Sequence, residues 1–145
     1  MSSHTERALD AAAQVALRSL TATPIAAAGT VAETGIALQA LTAYWDVGTL
    51  ADNHFEVLVV VKQALYTTNE TYVFTVEVAS DLAFTTPATI ATIANVAQLA
   101  DQLGMYVIPI HVPTLKKTNP TAAFIRVKAV AAGTAPALDY FAYMV

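Results

Sequence analysis

The stretch "TYVFTVEVAS", residues 71–80, decides the fold class of this chain. Its large apolar residues fall at every second position, at Tyr72, Phe74, Val76 and Val78. Threonine and glutamate occupy most of the positions between them. Successive side chains of a β-strand point to opposite sides of the sheet, so a strand with one buried and one solvated face alternates in this way. The stretch therefore predicts a strand of an antiparallel sheet.

Similar segments lie on both sides of residues 71–80. They are rich in β-branched and aromatic residues, and runs of turn-forming residues separate them. The predicted strands are 54–65, 105–112, 122–131 and 138–145, with an early strand within 36–47. Turns are expected at 67–70, 101–104, 113–120 and 133–136, and 88–100 is either strand or irregular. Short strands at this spacing, without helices between them, predict an all-β antiparallel jelly roll or β-sandwich.

The first 35 residues differ in character from the rest. Residues 5–20 are alanine-rich, and their apolar positions recur at helical spacing, which predicts a short helix. Residues 21–35 contain Pro24, Gly29 and Gly35 without a clear period, so we expect a linker or an extended arm there. The expected organisation is an N-terminal arm over 1–35 and a β-sandwich domain over 36–145.

The closing stretch "LDYFAYMV", residues 138–145, is apolar on both faces. Leu138, Tyr140 and Met144 share one face, whereas Phe141, Tyr143 and Val145 share the other. A strand with this pattern is buried on both sides. In a small sandwich only one face lies on the core, so the second face needs another cover. The N-terminal arm and a neighbouring copy of the chain are the two alternatives.

The length and the charge content of the chain limit the classes of protein to which it can belong. A chain of 145 residues is expected to form one domain with a sizeable core. Asp, Glu, Lys and Arg make up 12% of it, about half the share of roughly 25% that is typical of soluble domains. Such sparse charge favours a homo-oligomer, whose faces are largely covered by partners. A monomer coated with threonine and alanine is the alternative.

Several partners and compartments are disfavoured by composition. The net charge is −4 and the basic residues are scattered, so nucleic acid is not an expected partner. Charges interrupt the N-terminal segment, and the longest uncharged stretch, 82–100, is rich in polar residues, so neither a secretory signal nor a membrane span is predicted. Absent cysteines exclude disulfides and thiolate metal sites. We expect a soluble protein made in a cytoplasm.

No catalytic, cofactor or metal site is predicted. His4, His54 and His111 lack further ligands at the usual spacing, although His54 and Glu56 could share a strand face. Nucleophile-elbow, phosphate-loop and zinc-protease motifs do not occur. The chain is therefore not expected to be an enzyme. The pair Tyr44-Trp45 could stack on a sugar ring, or it could lie in the core or at a subunit contact, where Trp is enriched.

From about Ala43 onward, several segments occur in a telling order and spacing. They are "WDVG" (45–48), "FEVLVVVKQA" (55–64), "FTVEVASDLAF" (74–84), "YVIPI" (106–110), "FIRVKAVAAGTAP" (124–136) and "YFAYMV" (140–145). In this respect the chain resembles the jelly-roll capsid cement, or decoration, proteins of tailed bacteriophages, of the Bordetella-phage cement protein type. The strand that runs into Ser80-Asp81 and then Ala83-Phe84 is the most specific part.

The resemblance implies a structural role on a virion. Proteins of this family bind the outer surface of an icosahedral head as homo-oligomers, here a homodimer or homotrimer, and bridge subunits of the major capsid protein. On this hypothesis the N-terminal segment reaches over an adjacent capsid subunit. The candidate subunit or capsid contacts are Leu9, Leu17, Leu20, Tyr44, Trp45, Tyr143 and Val145. The alternative is a carbohydrate-binding, lectin-like jelly-roll module on a virion or cell surface.

Overall fold

The computed structural model describes residues 16–38, 54–93 and 104–144, which form two antiparallel sheets packed face to face. The predicted all-β sandwich is confirmed. The strands are β1 (Ala16–Arg18), β2 (Gly29–Ala32), β3 (Ile36–Ala37), β4 (His54–Ala64), β5 (Thr71–Ala79), β6 (Ala88–Ile93), β7 (Gly104–His111), β8 (Phe124–Ala132) and β9 (Leu138–Met144). A short helix, α1 (Val112–Thr118), follows β7.

Each sheet is built around two long central strands. Sheet A has the order β1-β9-β4-β7, and sheet B has the order β2-β8-β5-β6 with β3 also paired to β8. In sheet B, β5 and β8 pair along their whole length, from Thr71 opposite Ala132 to Ala79 opposite Phe124. In sheet A, β4 pairs with β7 on one side and β9 on the other. The first and last strands are therefore neighbours.

The core lies between the sheets and is built from the inward-facing positions of every long strand. Tyr72, Phe74, Val76 and Val78 have no exposed surface, as the alternation in 71–80 predicts. They pack against sheet A, where the rings of Phe74 and Tyr140 meet edge to face with centroids 4.8 Å apart. Burying one such side chain contributes about 1.5–3 kcal/mol, so these strand faces dominate the stability of the fold.

The prediction of an N-terminal arm is wrong over the described residues 16–35. Ala16–Arg18 is strand rather than helix and pairs with β9, and β2 pairs with β8. Ile25 forms a bridge with Leu138. Open strand edges that need hydrogen-bond partners outweigh the high helix propensity of alanine in this region. The sandwich therefore includes residues 16–35, and the predicted boundary after residue 35 does not separate a domain. Residues 5–15 of the predicted helix lie outside the described residues.

Arg18 anchors this N-terminal part to the last strand. Its side chain is 6% exposed, and its guanidinium lies 4.6 Å from the centre of the Tyr140 ring. Arg18 Nε donates to the Tyr140 carbonyl at 3.0 Å, and Nη1 pairs with Glu33 Oε1 at 2.5 Å. The Tyr140 hydroxyl donates to the same Glu33 oxygen at 3.2 Å. Burial, with the nearby Glu33 charge, raises the pKa of Tyr140, so its hydroxyl keeps its proton.

Glu70 ties together two loops at one end of the sandwich. Its carboxylate accepts backbone N–H groups from Thr68 at 2.8 Å and Thr67 at 2.6 Å, and from Ala135 at 3.2 Å. These bonds, Thr68 first, lower the pKa of Glu70 to about 2. Gly133 lies against the backbone of Glu70 and has a φ of +109°. A Cβ at this position would lie 2.7 Å from Glu70 Cα. The predicted turns at 67–70 and 133–136 therefore form one linked unit.

Three other expectations are resolved by the structure. Residues 88–93, for which strand and irregular structure are the two alternatives, form β6. The predicted turn at 113–120 instead contains α1, which has Pro at its start, where the missing N–H costs nothing. The early strand expected within 36–47 is present as β3, Ile36–Ala37. Residues 39–53, 94–103 and 145 lie outside the described residues.

We expect Arg18→Ala to lower the free energy of unfolding by about 3 kcal/mol, because it leaves Glu33 without its buried partner. Lys62→Ala is the matched control. It removes the Lys62–Asp139 pair, whose side chains are 35% and 20% exposed, and should cost about 1 kcal/mol or less. Urea unfolding followed by circular dichroism measures both. Equal losses for the two variants would contradict the anchoring role of Arg18.

Glu70 predicts a specific acid sensitivity. Its pKa falls from an ordinary 4.5 to about 2 on folding, so its stabilising effect is complete above pH 4.5 and is lost as the pH falls towards 2. Between these values the melting temperature of the wild type should therefore fall more steeply than that of Glu70→Gln. Melting curves recorded across this interval test the difference. Parallel slopes for the two proteins would show that the Glu70 carboxylate does not cause the acid sensitivity.

Candidate interaction surface

The outer face of sheet A carries a continuous apolar surface, here called the outer plate. Its members lie on three adjacent strands, in two rows across β9, β4 and β7. The rows are Tyr143–Leu58–Val107 and Phe141–Val60–Met105. Side chains directly opposite each other on neighbouring strands lie about 4.5–5.5 Å apart at Cβ, so the six side chains are contiguous. The plate faces away from the core, because the alternate residues of the same strands point inward.

Exposure changes steeply across the outer plate. On the β9 side Tyr143 is 3% exposed, and its neighbour Leu58 on β4 is 6% exposed. On the β7 side Met105 is 52% and Val107 is 47% exposed. The Tyr143 ring stacks on Phe141 at 5.8 Å, and its hydroxyl donates to Met105 Sδ at 3.9 Å. The plate thus has a covered half and an open half.

The open half lies on an edge strand. Within the described ranges, β7 pairs with β4 on one side and no strand follows it on the other. Unpaired backbone groups and exposed apolar side chains together make an edge strand prone to contact other chains. Pro109 limits this tendency, since proline removes one donor from the edge. Strand β7 is therefore the part of sheet A best suited to contact a partner.

The outer face of sheet B has a different chemistry, centred on Glu77. This carboxylate is 2% exposed, and Arg126 donates to it from Nε and Nη2 at 2.9 and 2.7 Å, while Lys128 also pairs with it. Burial acts to raise the pKa of Glu77, but the hydrogen bonds from Lys128 and Arg126 outweigh it and hold the pKa below its ordinary value. The negative charge of Glu77 is therefore neutralised within the chain, and because two cations share this one carboxylate, the group keeps a net positive charge.

Phe84 holds the turn after β5 against sheet B. Its ring lies under the Arg126 guanidinium at 4.1 Å and fits against Gly35, where a Cβ would meet ring carbon Cε2 at 2.3 Å. Phe84 has a φ of +52°, and the turn is closed by the bond from its N–H to the Asp81 carbonyl at 3.1 Å. The segment after β5 therefore folds back onto sheet B because Phe84 and Arg126 hold it there.

Charge is balanced in the described part of the chain. Four ion pairs link side chains within it: Arg18–Glu33, Lys62–Asp139, Arg126–Glu77 and Lys128–Glu77. Six acidic residues match six basic ones in the described ranges, so the formal −4 falls on residues 1–15, 39–53 and 94–103. The described part of the sandwich consequently carries no net formal charge.

The residues predicted as subunit or capsid contacts lie in different environments. Leu17 is 3% exposed and belongs to the chain's own core, so its prediction as a contact is wrong because β1 turns it inward. Tyr143 lies in the covered half of the outer plate, and Leu20, in the turn after β1, is 49% exposed. Leu9, Tyr44, Trp45 and Val145 lie outside the described residues, so the sugar-stacking interpretation of Tyr44-Trp45 stays a prediction.

Met105 and Val107 are exposed, although the sequence did not predict them as surface residues. The stretch "MYVIPIHV", residues 105–112, is apolar at nearly every position, which signals a strand but does not say which face is open. That information comes from the register with β4, since Val107 stands opposite Leu58 and Met105 opposite Val60. An apolar strand at the edge of a sheet is the signal that could have identified them.

The described residues offer little for catalysis or metal binding. A shallow pocket of about 120 Å³ lies between β7, α1 and Ile90, well below the roughly 300 Å³ of small-molecule sites. His111 stands opposite His54 in the β4–β7 register, and its Nδ1 lies 3.2 Å from Thr114 Oγ1. No group of three or more potential metal ligands occurs in the ranges that the structure describes.

Comparison with known proteins adds no identification. No family model, no curated protein and no solved structure matches the chain. Among the described residues, no helix combines the length and apolar character needed to cross a membrane. The geometry of the outer plate is therefore the main guide to function.

The covered half of the outer plate should behave as a second core. We expect Leu58→Ala to cost about 2–4 kcal/mol in the free energy of unfolding, because it removes a buried side chain. Val107→Ala, on the same row but half exposed, should change stability by about 0.5 kcal/mol. Denaturant unfolding of both variants provides the comparison. A Leu58→Ala loss as small as that of Val107→Ala would show that this half of the plate is not packed.

Proposed function

We propose that this protein is a capsid cement protein of a tailed bacteriophage. It binds the outer surface of the icosahedral head as a homodimer or homotrimer and bridges subunits of the major capsid protein. The observation that carries the proposal is the open half of the outer plate, where Met105 and Val107 are exposed side by side on edge strand β7. Exposed apolar side chains beside a free strand edge favour contact with another protein.

The strand order also supports this proposal. The first and last strands, β1 and β9, are neighbours in sheet A, and most connections pass from one sheet to the other. A jelly roll, the fold of the family that the sequence resembles, would give this order. Topology alone does not define function, because the same fold serves capsids, lectins and other proteins. The exposed surface of β7 is therefore stronger support for the proposal than the strand order.

Sparse free charge suits a protein that is covered on several sides. The ion pairs of Glu77 and Glu33 neutralise charge within the chain, leaving surfaces that can be buried without a large desolvation cost. Cementing a shell requires no chemistry, since each copy adds a modest contact. Linked subunits bind several sites together, and their combined avidity then exceeds the affinity of any single contact.

Co-sedimentation with expanded, undecorated phage shells tests the proposal. The wild type should pellet with shells, and the double variant Met105→Ser/Val107→Ser should lose at least tenfold in apparent affinity. Leu82→Ser is the matched control, because Leu82 is 54% exposed but lies in the turn after β5, away from the plate. The control should bind as the wild type does, and all three proteins should show the same melting temperature within a few degrees.

Two results would count against the proposal. Wild-type protein that stays in the supernatant at all concentrations would exclude capsid binding to those shells. Equal binding by the double variant and by Leu82→Ser would show that β7 is not the contact. Sedimentation equilibrium of the wild type gives the mass in solution, and a monomer at all concentrations would overturn the homo-oligomer.

A further inference from the structure

The ion-paired group on the outer face of sheet B has more positive than negative charge. Arg126 and Lys128 both contact the Glu77 carboxylate, so two cations share one anion. On sheet A, by contrast, the Lys62–Asp139 pair joins one cation to one anion. The group formed by Glu77, Arg126 and Lys128, here called the basic cluster, therefore keeps one positive charge.

The surplus charge lies on the solvent side of the basic cluster. The Glu77 side chain is 3% exposed, whereas those of Arg126 and Lys128 are 16% and 26% exposed. The two cations therefore cover the carboxylate, and an approaching molecule meets them first. Because they are only partly solvated, an ion pair formed here is stronger than one on a fully solvated surface.

The Arg126 guanidinium is held in place by the chain itself. Its Nε and Nη2 atoms donate to Glu77 at 2.9 and 2.7 Å, and it lies 4.1 Å from the centre of the Phe84 ring. A side chain that is already fixed loses little conformational freedom when a partner binds. The basic cluster is therefore a preorganised positive site.

Small side chains surround Lys128 on the sheet. Thr75 and Ala32 stand directly opposite it on the two neighbouring strands, and Thr92 follows Thr75 in the same row. Ala32 and Thr92 are exposed. These short side chains leave Lys128 open to a partner, and the Thr92 hydroxyl can donate a further hydrogen bond to an oxygen ligand.

We propose that the basic cluster binds an isolated carboxylate, that of an Asp or Glu side chain on a partner protein. One surplus charge matches one carboxylate, and the complex is then electrically neutral. A polyanion with a charge on every repeat instead requires a row of cations. Among the described residues, Arg18 and Lys62 have carboxylates of their own and do not extend the cluster into such a row.

The basic cluster and the outer plate lie on opposite outer faces of the sandwich. A protein with a charged contact on one face and an apolar contact on the other can hold two neighbours at once, and each contact then strengthens the other. The carboxylate contact does not depend on the cement proposal, because any protein surface with an exposed Asp or Glu could supply it.

Titration of the isotope-labelled full-length protein, followed by NMR, tests this inference without any shell. The probe is the tripeptide Gly-Glu-Gly with both ends blocked, which carries a single carboxylate. The ionic strength is about 10 mM, where charges act over about 30 Å. The backbone amide signals of Lys128 and Thr75 should shift saturably, with a dissociation constant in the millimolar range.

Two matched variants locate the binding site. Lys128→Gln should weaken binding of the tripeptide roughly threefold or more, and Glu77 keeps its Arg126 partner in this variant, so the fold is preserved. Lys62→Gln makes the same change in charge on sheet A, where the lysine side chain is 35% exposed. It should bind the tripeptide as the wild type does.

Three outcomes would overturn the proposal. Equal weakening by Lys62→Gln and Lys128→Gln would reduce the effect to the net charge of the protein. Equal shifts with the tripeptide Gly-Gln-Gly would show that the carboxylate is not recognised. Tighter binding of glucuronate, a sugar carboxylate, would assign the site to acidic glycans instead. None of these measurements involves β7 or a shell, so failure here leaves the cement proposal standing, and the reverse also holds.

Discussion

Strand β9 must be covered on every side, and the rest of the sandwich is arranged around this constraint. Its inward residues Leu138, Tyr140 and Met144 have no exposed surface. Its two edges pair with β4 and β1, and its outer face carries Phe141 and Tyr143 in the outer plate. A strand so apolar on both faces would be an aggregation hazard if any of these covers were missing. The N-terminal residues are therefore part of the fold because β9 requires them.

This arrangement makes the two ends of the described chain depend on each other. Arg18 bonds to the Tyr140 carbonyl across a separation of 122 positions. The β5–β8 ladder also joins distant parts of the sequence, with Thr71 opposite Ala132. Contacts of such long range form late, since loop closure must precede them, and all-β domains of this kind fold slowly. The loop unit held by Glu70 shortens one of these closures by fixing the turn before β5 to the turn before β9.

The strong alternation of apolar and polar residues allows the long strands to be predicted from the sequence. Features that depend on which strands pair cannot be predicted in this way. The faces of β5 follow from Tyr72, Phe74, Val76 and Val78 alone. The alanine-rich sequence of β1 has high helix propensity and predicts a helix, and only pairing with the open edge of β9 makes it a strand. Arg18, a lone charge in an apolar run, was the available sign of a buried anchor. The outer plate combines residues from three distant segments, so no local pattern could have revealed it.

The internal ion pairs determine how the sandwich meets other molecules. Glu77 and Glu33 are neutralised at contact distance, and the described ranges carry equal numbers of acidic and basic residues. The described sandwich has no net charge of its own, so this part of the chain contributes little repulsion of a second copy and little steering of a partner over a Debye length of about 8 Å. Encounters are then governed by diffusion and by shape, at the unsteered rate of about 10⁵–10⁶ M⁻¹s⁻¹. A protein with this surface gains its selectivity after collision, from how well its faces fit.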